Sequence, residues 1–175
     1  MNVRTTLSLL AAAALAAGCA SMGGAPGPTA SAKLAPTKGN SASGTVSFEQ
    51  RGSKVLVSGT VSGLKPNAEH GFHVHEKGDC SSGDGMSAGG HFNPLGKGHG
   101  HLSDTGKHAG DLPNLRADAY GVATFSVEAD GITVGSGATD IVGKGLIVHR
   151  DPDDYKSQPV GNAGPRLACA VIAKG

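Results

Sequence analysis

Apolar and polar side chains alternate along residues 44–50 (Gly-Thr-Val-Ser-Phe-Glu-Gln) and along residues 54–61 (Lys-Val-Leu-Val-Ser-Gly-Thr-Val). A period of two puts every second residue on one face, so both segments predict half-buried strands. Arg51-Gly52-Ser53 joins them, and a short connection containing glycine makes the pair a hairpin. The same signal predicts strands at residues 69–75, at 117–128 with a turn at Tyr120-Gly121, at 146–149 and at 167–172. Lys33-Leu-Ala-Pro36 reads as an edge strand, because proline lacks the N–H that a central ladder needs. Seven or eight short antiparallel strands of this kind build an all-β sandwich or flattened barrel.

Two long connections interrupt the pattern, residues 76–115 and residues 150–166. Loops of that length usually carry function. The 175 residues suffice for one domain, and 29 glycines with 9 prolines favour many turns over long helices.

The first residues have a different character. Arg4 precedes an apolar run at 7–17 that is too short to span a bilayer and ends in small residues before Cys19. Residues 1–18 therefore read as an export signal. Leu15-Ala-Ala-Gly-Cys19 has the form of a lipoprotein cleavage site, with Ala16 where a larger aliphatic is usual, so Cys19 is expected to carry lipid. The alternative is ordinary secretory cleavage nearby, which releases a soluble periplasmic or secreted protein. Residues 19–31, rich in Gly, Ala, Pro and Ser, read as a flexible tether, and residues 32–175 as the folded domain. With the signal removed, 14 Lys plus Arg face 14 Asp plus Glu. A formal charge of zero offers nothing to nucleic acid or to other polyanions.

Candidate chemistry lies in an ordered series of side chains: His73 and His75, then His91, His99, His108 and Asp111, then His149. Residues i and i+2 of a strand share a face, so His73 and His75 can point at one ion while Val74 faces the other way. His91, His99, His108 and Asp111 lie in a glycine-rich stretch that must fold back on itself, and a metal supplies the reason. Imidazole suits copper and zinc, and a His/Asp set of four suits a closed tetrahedral zinc site. His70 has the opposite strand parity to His73 and His75 and reads as a structural histidine bonded to backbone. His101 stands two residues after His99, and spacing alone lets either serve.

Four motifs carry a family resemblance: Gly71-Phe-His-Val-His-Glu76, Gly90-His-Phe-Asn-Pro94, His108-Ala-Gly-Asp111 and Gly161-Asn-Ala-Gly-Pro-Arg-Leu-Ala-Cys169. Together the chain resembles the copper,zinc superoxide dismutases of the bacterial secreted type. The resemblance implies a Greek-key, immunoglobulin-like sandwich or flattened barrel of about eight strands. It implies copper on His73, His75, His91 and His149, and zinc on His91, His99, His108 and Asp111, one ion of each kind per subunit. His91 would be shared, its second proton lost once both nitrogens hold divalent cations. The family pattern is also what favours His99 over His101.

The implied activity converts two superoxide anions and two protons to dioxygen and hydrogen peroxide by copper(II)/copper(I) cycling. Zinc would be structural and His91 would carry one of the protons. Arg166 would bind the small anionic substrate through charge and directed donors. Asp153 matches the family's outer carboxylate, which accepts hydrogen bonds from one copper and one zinc histidine; Asp154 beside it is the same in type. If Cys19 carries lipid, Cys80 and Cys169 remain as a pair in an oxidising compartment. Their disulfide would tie the Cys80 loop to the last strand beside Arg166, contributing up to about 4 to 5 kcal/mol in the chain-entropy model.

These features predict an enzyme of the bacterial cell envelope, on the periplasmic or surface side, held to a membrane by lipid at Cys19. It would protect the envelope from extracytoplasmic superoxide, as a monomer or a homodimer. A copper or zinc buffer using the same ligands, or an adhesion-like sandwich with vestigial histidines, is the competing reading; Arg166 and a complete ligand set weigh against both. Apart from its end residues the second loop has Lys156 as its only cation. Lys77, Lys97 and Lys107 are further candidates to guide an anion, and otherwise solubilising charges.

Overall fold

The hairpin read from the alternation forms the longest ladder of the sheet in the computed structural model, which describes residues 27–175 together with Met1. Strands β2 (Ser43–Arg51) and β3 (Lys54–Ser62) pair from Arg51↔Lys54 to Ser43↔Ser62. Gly52, with φ of 60°, occupies the first place of the two-residue turn, a conformation glycine adopts without steric cost. Val46 and Phe48 of β2 and Val55, Val57 and Val61 of β3 are fully buried. A fully buried side chain of this size contributes about 1.5 to 3 kcal/mol relative to exposure. The expected export signal and Cys19 lie outside the described residues.

The other strands are β1 (Thr29–Pro36), β4 (Glu69–His70), β5 (Phe72–His75), β6 (Leu115–Arg116), β7 (Ala123–Ala129), β8 (Gly145–His149), β9 (Arg166–Val171) and β10 (Ala173–Lys174). The main sheet runs β5-β8-β9-β1-β2-β3-β7, with β10 beside β1, and all its pairings are antiparallel. Phe72 on the first strand of that order and Phe125 on the last meet edge to face at 5.4 Å. The sheet therefore curls round one core, as the sandwich or flattened-barrel reading expects.

Four details differ from the sequence reading. Residues 33–36 are not an edge strand: β1 starts at Thr29, inside the expected tether, and pairs with β2 on one side and with β9 and β10 on the other. Pro36 is tolerated because β2 pairing ends at Leu34, which leaves it a strand partner, Ala168 of β9, on one side only. The expected strand at 69–75 breaks at Gly71, where N–H donates to the Asp151 carbonyl at 2.9 Å and a Cβ would stand 2.7 Å from that of Ala163. Of the expected strand at 117–128 only residues 123–128 are extended, as β7; β6 ends before it at Arg116, and the turn is closed by Gly121 N–H to the Asp118 carbonyl at 3.1 Å. A third long connection, residues 130–144, covers the core with Ile132, Val134 and Ile141, all buried.

Candidate metal centre

Strand β5 is buried on both faces, and the two faces differ in kind. Phe72 and Val74 enter the apolar core, while His73 and His75 project together to the other side. On that side β8 places Ile147 opposite His73 and ends at His149, which pairs with Arg166 of β9 across a register shift. The free edge of β5 is taken by the first long loop. Phe92 N–H donates to the Val74 carbonyl, Val74 N–H to that of Gly110 and Gly110 N–H to that of Phe92, at 2.8 to 2.9 Å. Backbone pairing thus sets His91 beside His75 and Asp111 beside His73. A Cβ at Gly110 would collide with the Val74 carbonyl, so the close approach requires glycine.

Two groups of side chains result, His73, His75, His91 and His149, and His91, His99, His108 and Asp111. All are buried, and within each group the ligand atoms lie within 4.8 Å of one another. Among the described residues, every buried side-chain nitrogen or oxygen without a hydrogen-bond partner belongs to a histidine: His70, His73, His75, His91, His99, His108 and His149. Buried polar atoms are seldom left unpaired, and apart from His70 these belong to the two groups.

The second ring nitrogens explain the orientation. His75 Nδ1 lies 2.9 Å from the Gly89 carbonyl and His149 Nδ1 lies 3.1 Å from that of Gly164. A carbonyl only accepts, so each Nδ1 carries the proton and each Nε2 keeps its lone pair for the site. Asp153 does the same for two rings at once: His73 Nε2–H donates to Oδ2 and His99 Nε2–H to Oδ1, both at 2.8 Å. That leaves Nδ1 of His73 without a partner and turns Nδ1 of His99 toward Asp111. His91 Nδ1 stands 2.8 Å from Asp111 Oδ1 while its Nε2 has no partner, so one ring reaches both groups.

Asp111 is held for its task. Its Oδ2 accepts from Gly100 N–H at 3.1 Å and His108 N–H at 3.0 Å, while Nδ1 of His99 and of His108 approach Oδ1 at 3.0 and 3.4 Å. Burial opposes ionisation of Asp111, yet the hydrogen bonds from His91 and His99 hold its carboxyl well below the usual carboxylate range. Burial likewise disfavours charge on His73 and His149, which fall to about 4 and about 3. For His99 burial is outweighed by Asp111 and Asp153, which raise it to about 9. Ring nitrogens aimed inward beside one carboxylate fit copper in the first group and zinc in the second, with His99 giving up a proton to a metal.

Arg166 is half-buried at the rim. Its two terminal nitrogens donate to the carbonyls of Gly85 and Gly89 at 2.6 Å each. Its positive charge helps hold His75 and His149 in their neutral forms, after burial and neighbouring histidines. The Gly85 and Gly89 carbonyls belong to a segment fixed by the Cys80–Cys169 disulfide, whose Cα atoms are 5.9 Å apart. Ala88, Ile147 and Cys169 pack there as a small separate cluster.

His101 stays outside both groups. It is exposed, its Nδ1 bonded to Ser103 Oγ at 2.9 Å and its ring edge-on to Tyr155 at 4.7 Å. His70 Nδ1 bonds the His149 carbonyl at 2.9 Å, the backbone role expected of it. Asp153 is buried, whereas Asp154 is exposed and caps the turn at Lys156 and Ser157. Lys107 is not a surface guide: it is buried, its ammonium directed at the carbonyls of His108 and Asp130. Asn114 and Gln158, absent from the sequence reading, bind backbone of the site. Asn114 Nδ2 donates to the Asp153 carbonyl at 3.0 Å and its Oδ1 accepts from Asp153 N–H at 2.9 Å. Nothing in residue type or spacing marks either one.

Residues 42–172 match the family model described as copper/zinc superoxide dismutase. The chain is 44% identical to superoxide dismutase [Cu-Zn] 2 of Aquifex aeolicus over 147 residues, 82% of this chain and 85% of that one. It is 48% identical to superoxide dismutase [Cu-Zn] 2 of Brassica juncea over 136 residues, 74% of this chain and 88% of that one. Among solved structures, the crystal structure of the clock protein EA4 superposes with a TM-score of 0.76 at 41% identity, covering 85% of this chain and 94% of that one.

Proposed function

This chain belongs to the copper/zinc superoxide dismutase family, and from that membership we propose which side chains perform the reaction. It is an oxidoreductase acting on superoxide that uses copper and zinc. Copper is assigned to His73, His75, His91 and His149, and zinc to His91, His99, His108 and Asp111. The observation that carries the assignment is the set of buried, unpartnered histidine nitrogens whose opposite ring atoms are mostly fixed by carbonyls and carboxylates.

Copper, when bound, supplies the one-electron chemistry that oxidises one superoxide to dioxygen and reduces a second to hydrogen peroxide, while zinc is redox-inert. The protein supplies charge, orientation and protons. Arg166, with two N–H groups engaged by Gly85 and Gly89, keeps its charge and remaining donors for a small anion at the rim. His91 Nε2 can hold a proton and give it up, while Nδ1 stays with the Asp111 side. Asp153 and the carbonyls of Gly89 and Gly164 keep His73, His99, His75 and His149 in single tautomers, so no ring must turn during turnover.

Metal analysis of single alanine variants tests this. His75→Ala and His149→Ala should lose copper and keep zinc, His99→Ala and His108→Ala the reverse, and His91→Ala should weaken both. Equal loss of both metals from every variant, or loss from His101→Ala, would overturn the assignment.

We further propose that residues 1–18 direct export and that Cys19 carries lipid, anchoring residues 32–175 at the bacterial envelope to remove extracytoplasmic superoxide. Support comes from the Leu15-Ala-Ala-Gly-Cys19 motif and from a disulfide, a bond that persists in oxidising compartments. Mass spectrometry of the membrane fraction should find lipid on Cys19, and Cys19→Ser should move the protein to the soluble fraction. Unmodified Cys19 in a soluble protein would leave ordinary secretion.

A further inference from the structure

Gln158 stands on the second long loop, yet among the described residues its side chain hydrogen-bonds only His99 and its own turn. Oε1 accepts from His99 N–H at 2.8 Å and Nε2 donates to the His99 carbonyl at 2.9 Å. One planar amide thus satisfies both backbone groups of a single residue, 59 positions away in sequence. Three residues on, Gly161 (φ +65°) lies against the His99 side chain: a Cβ there would overlap Asp153 Oδ1 and come within 2.6 Å of His99 Nε2. The turn 157–161 therefore grips His99 twice, its backbone through Gln158 and its ring through the space Gly161 leaves for the Asp153 bond.

We propose that Gln158 is a positioning residue for zinc: it fixes the backbone of His99 so that Nδ1 stays aimed at the second ligand group. The inference rests on the assignment of zinc to that group. His99 needs such a clamp because the glycines on either side, Gly98 and Gly100, impose few backbone restraints of their own. Asp153 can orient the ring only if the backbone carrying it is placed. A Gln/backbone pair closes a ring of two hydrogen bonds, so removing the amide frees the backbone that positions a metal ligand. Loss of such support costs metal sites about ten- to a hundredfold in affinity. Gln158 is exposed, and competition from water puts the expected effect at the lower end, about tenfold.

The test uses the full chain loaded with metal. Zinc release to a chromogenic chelator is followed, and cobalt(II) in place of zinc reports ligand geometry through its visible absorption bands. Gln158→Ala should release zinc about tenfold faster than the unchanged chain and shift the cobalt bands. Gln158→Glu, which keeps the acceptor for His99 N–H and loses the donor to the carbonyl, should fall between the two. Val160→Ala, an exposed change in the same turn, should alter neither reading. Release and spectrum unchanged in Gln158→Ala would overturn the inference; should that variant not fold, the same result in Gln158→Glu would do so. Failure of the premise looks different: the unchanged chain would give no tetrahedral cobalt spectrum, or His99→Ala would retain it.

Discussion

His73 and Asp153 are joined by a 2.8 Å hydrogen bond across 80 positions of the chain, with both side chains fully buried. Asp153 Oδ1 takes His99 in the same way. One carboxylate thus orients a ring in each ligand group. Asp153→Asn keeps the shape but not the ability to accept from both rings, and it should lower zinc affinity by about ten- to a hundredfold. Asp154→Asn, at an exposed turn, should leave it within about twofold. Competition with a zinc chelator compares the two; equal effects would move the bridging role away from Asp153.

Gly161 admits no Cβ without overlapping Asp153, and its φ of +65° favours glycine independently. Gly161→Ala should therefore destabilise the protein by about 1 to 3 kcal/mol and lower zinc retention. Gly39→Ala also has positive φ but open space around it, so it should carry only the backbone part. Thermal unfolding and metal content of the two variants separate strain from the clash.

In the role proposed for it, Arg166 acts through charge and through a fixed position. Arg166→Lys keeps the charge but cannot span the Gly85 and Gly89 carbonyls while presenting further donors. Turnover should fall in the order wild type, Arg166→Lys, Arg166→Ala, with copper and zinc content unchanged, and the dependence on ionic strength should weaken in the alanine variant. Metal loss in step with activity would instead make Arg166 structural.

The Cys80–Cys169 bond joins residues 89 positions apart in sequence. Cys169→Ser should cost about 2 to 5 kcal/mol, and it should free the segment that carries the Arg166 acceptors. Lower turnover per bound copper, beyond the loss of stability, would show that coupling.

Without metal, stability should vary with pH in two opposite senses. His73 and His149, held neutral with values of about 4 and about 3, bind fewer protons folded than unfolded below an unfolded pKa of roughly 6.5. Their contribution is present above that value and is lost as pH falls toward 4 and below. His99, raised to about 9, binds more protons folded. Its contribution is full below roughly 6.5 and fades as pH rises through 9. Unfolding of the metal-free chain should therefore show a maximum near neutrality, flattened on the alkaline side by His99→Gln. Zinc binding near pH 7 should release about one proton from His99, seen as a buffer-dependent calorimetric enthalpy.

Much of the site was legible because strand parity and ligand chemistry are local. His73 and His75 share a face as a period of two requires, and residue type marks the ordered series of histidines with Asp111, although the choice of His99 over His101 and the division into two sets come from the family resemblance. Which ring nitrogen faces inward was not legible, since carbonyls of Gly89 and Gly164 decide it and a carbonyl leaves no trace in sequence. Asn114 and Gln158 escaped notice for the same reason: they bind backbone across distant loops. Lys107 was misread because its aliphatic stem is buried and its head meets carbonyls. Small residues hid the first strand: Ala30 and Ala32 are core positions, but Gly, Ala, Pro and Ser together read as a tether.

Loaded with copper and zinc, these side chains should dismutate superoxide with Arg166 as the anion site. Pulse radiolysis of the loaded domain, beside Arg166→Ala and a metal-free sample, measures it directly. Superoxide decay should be fast and copper-dependent, slow in the Arg166 variant and no faster than in buffer without metal. Tight binding of both metals with no acceleration of decay would contradict it.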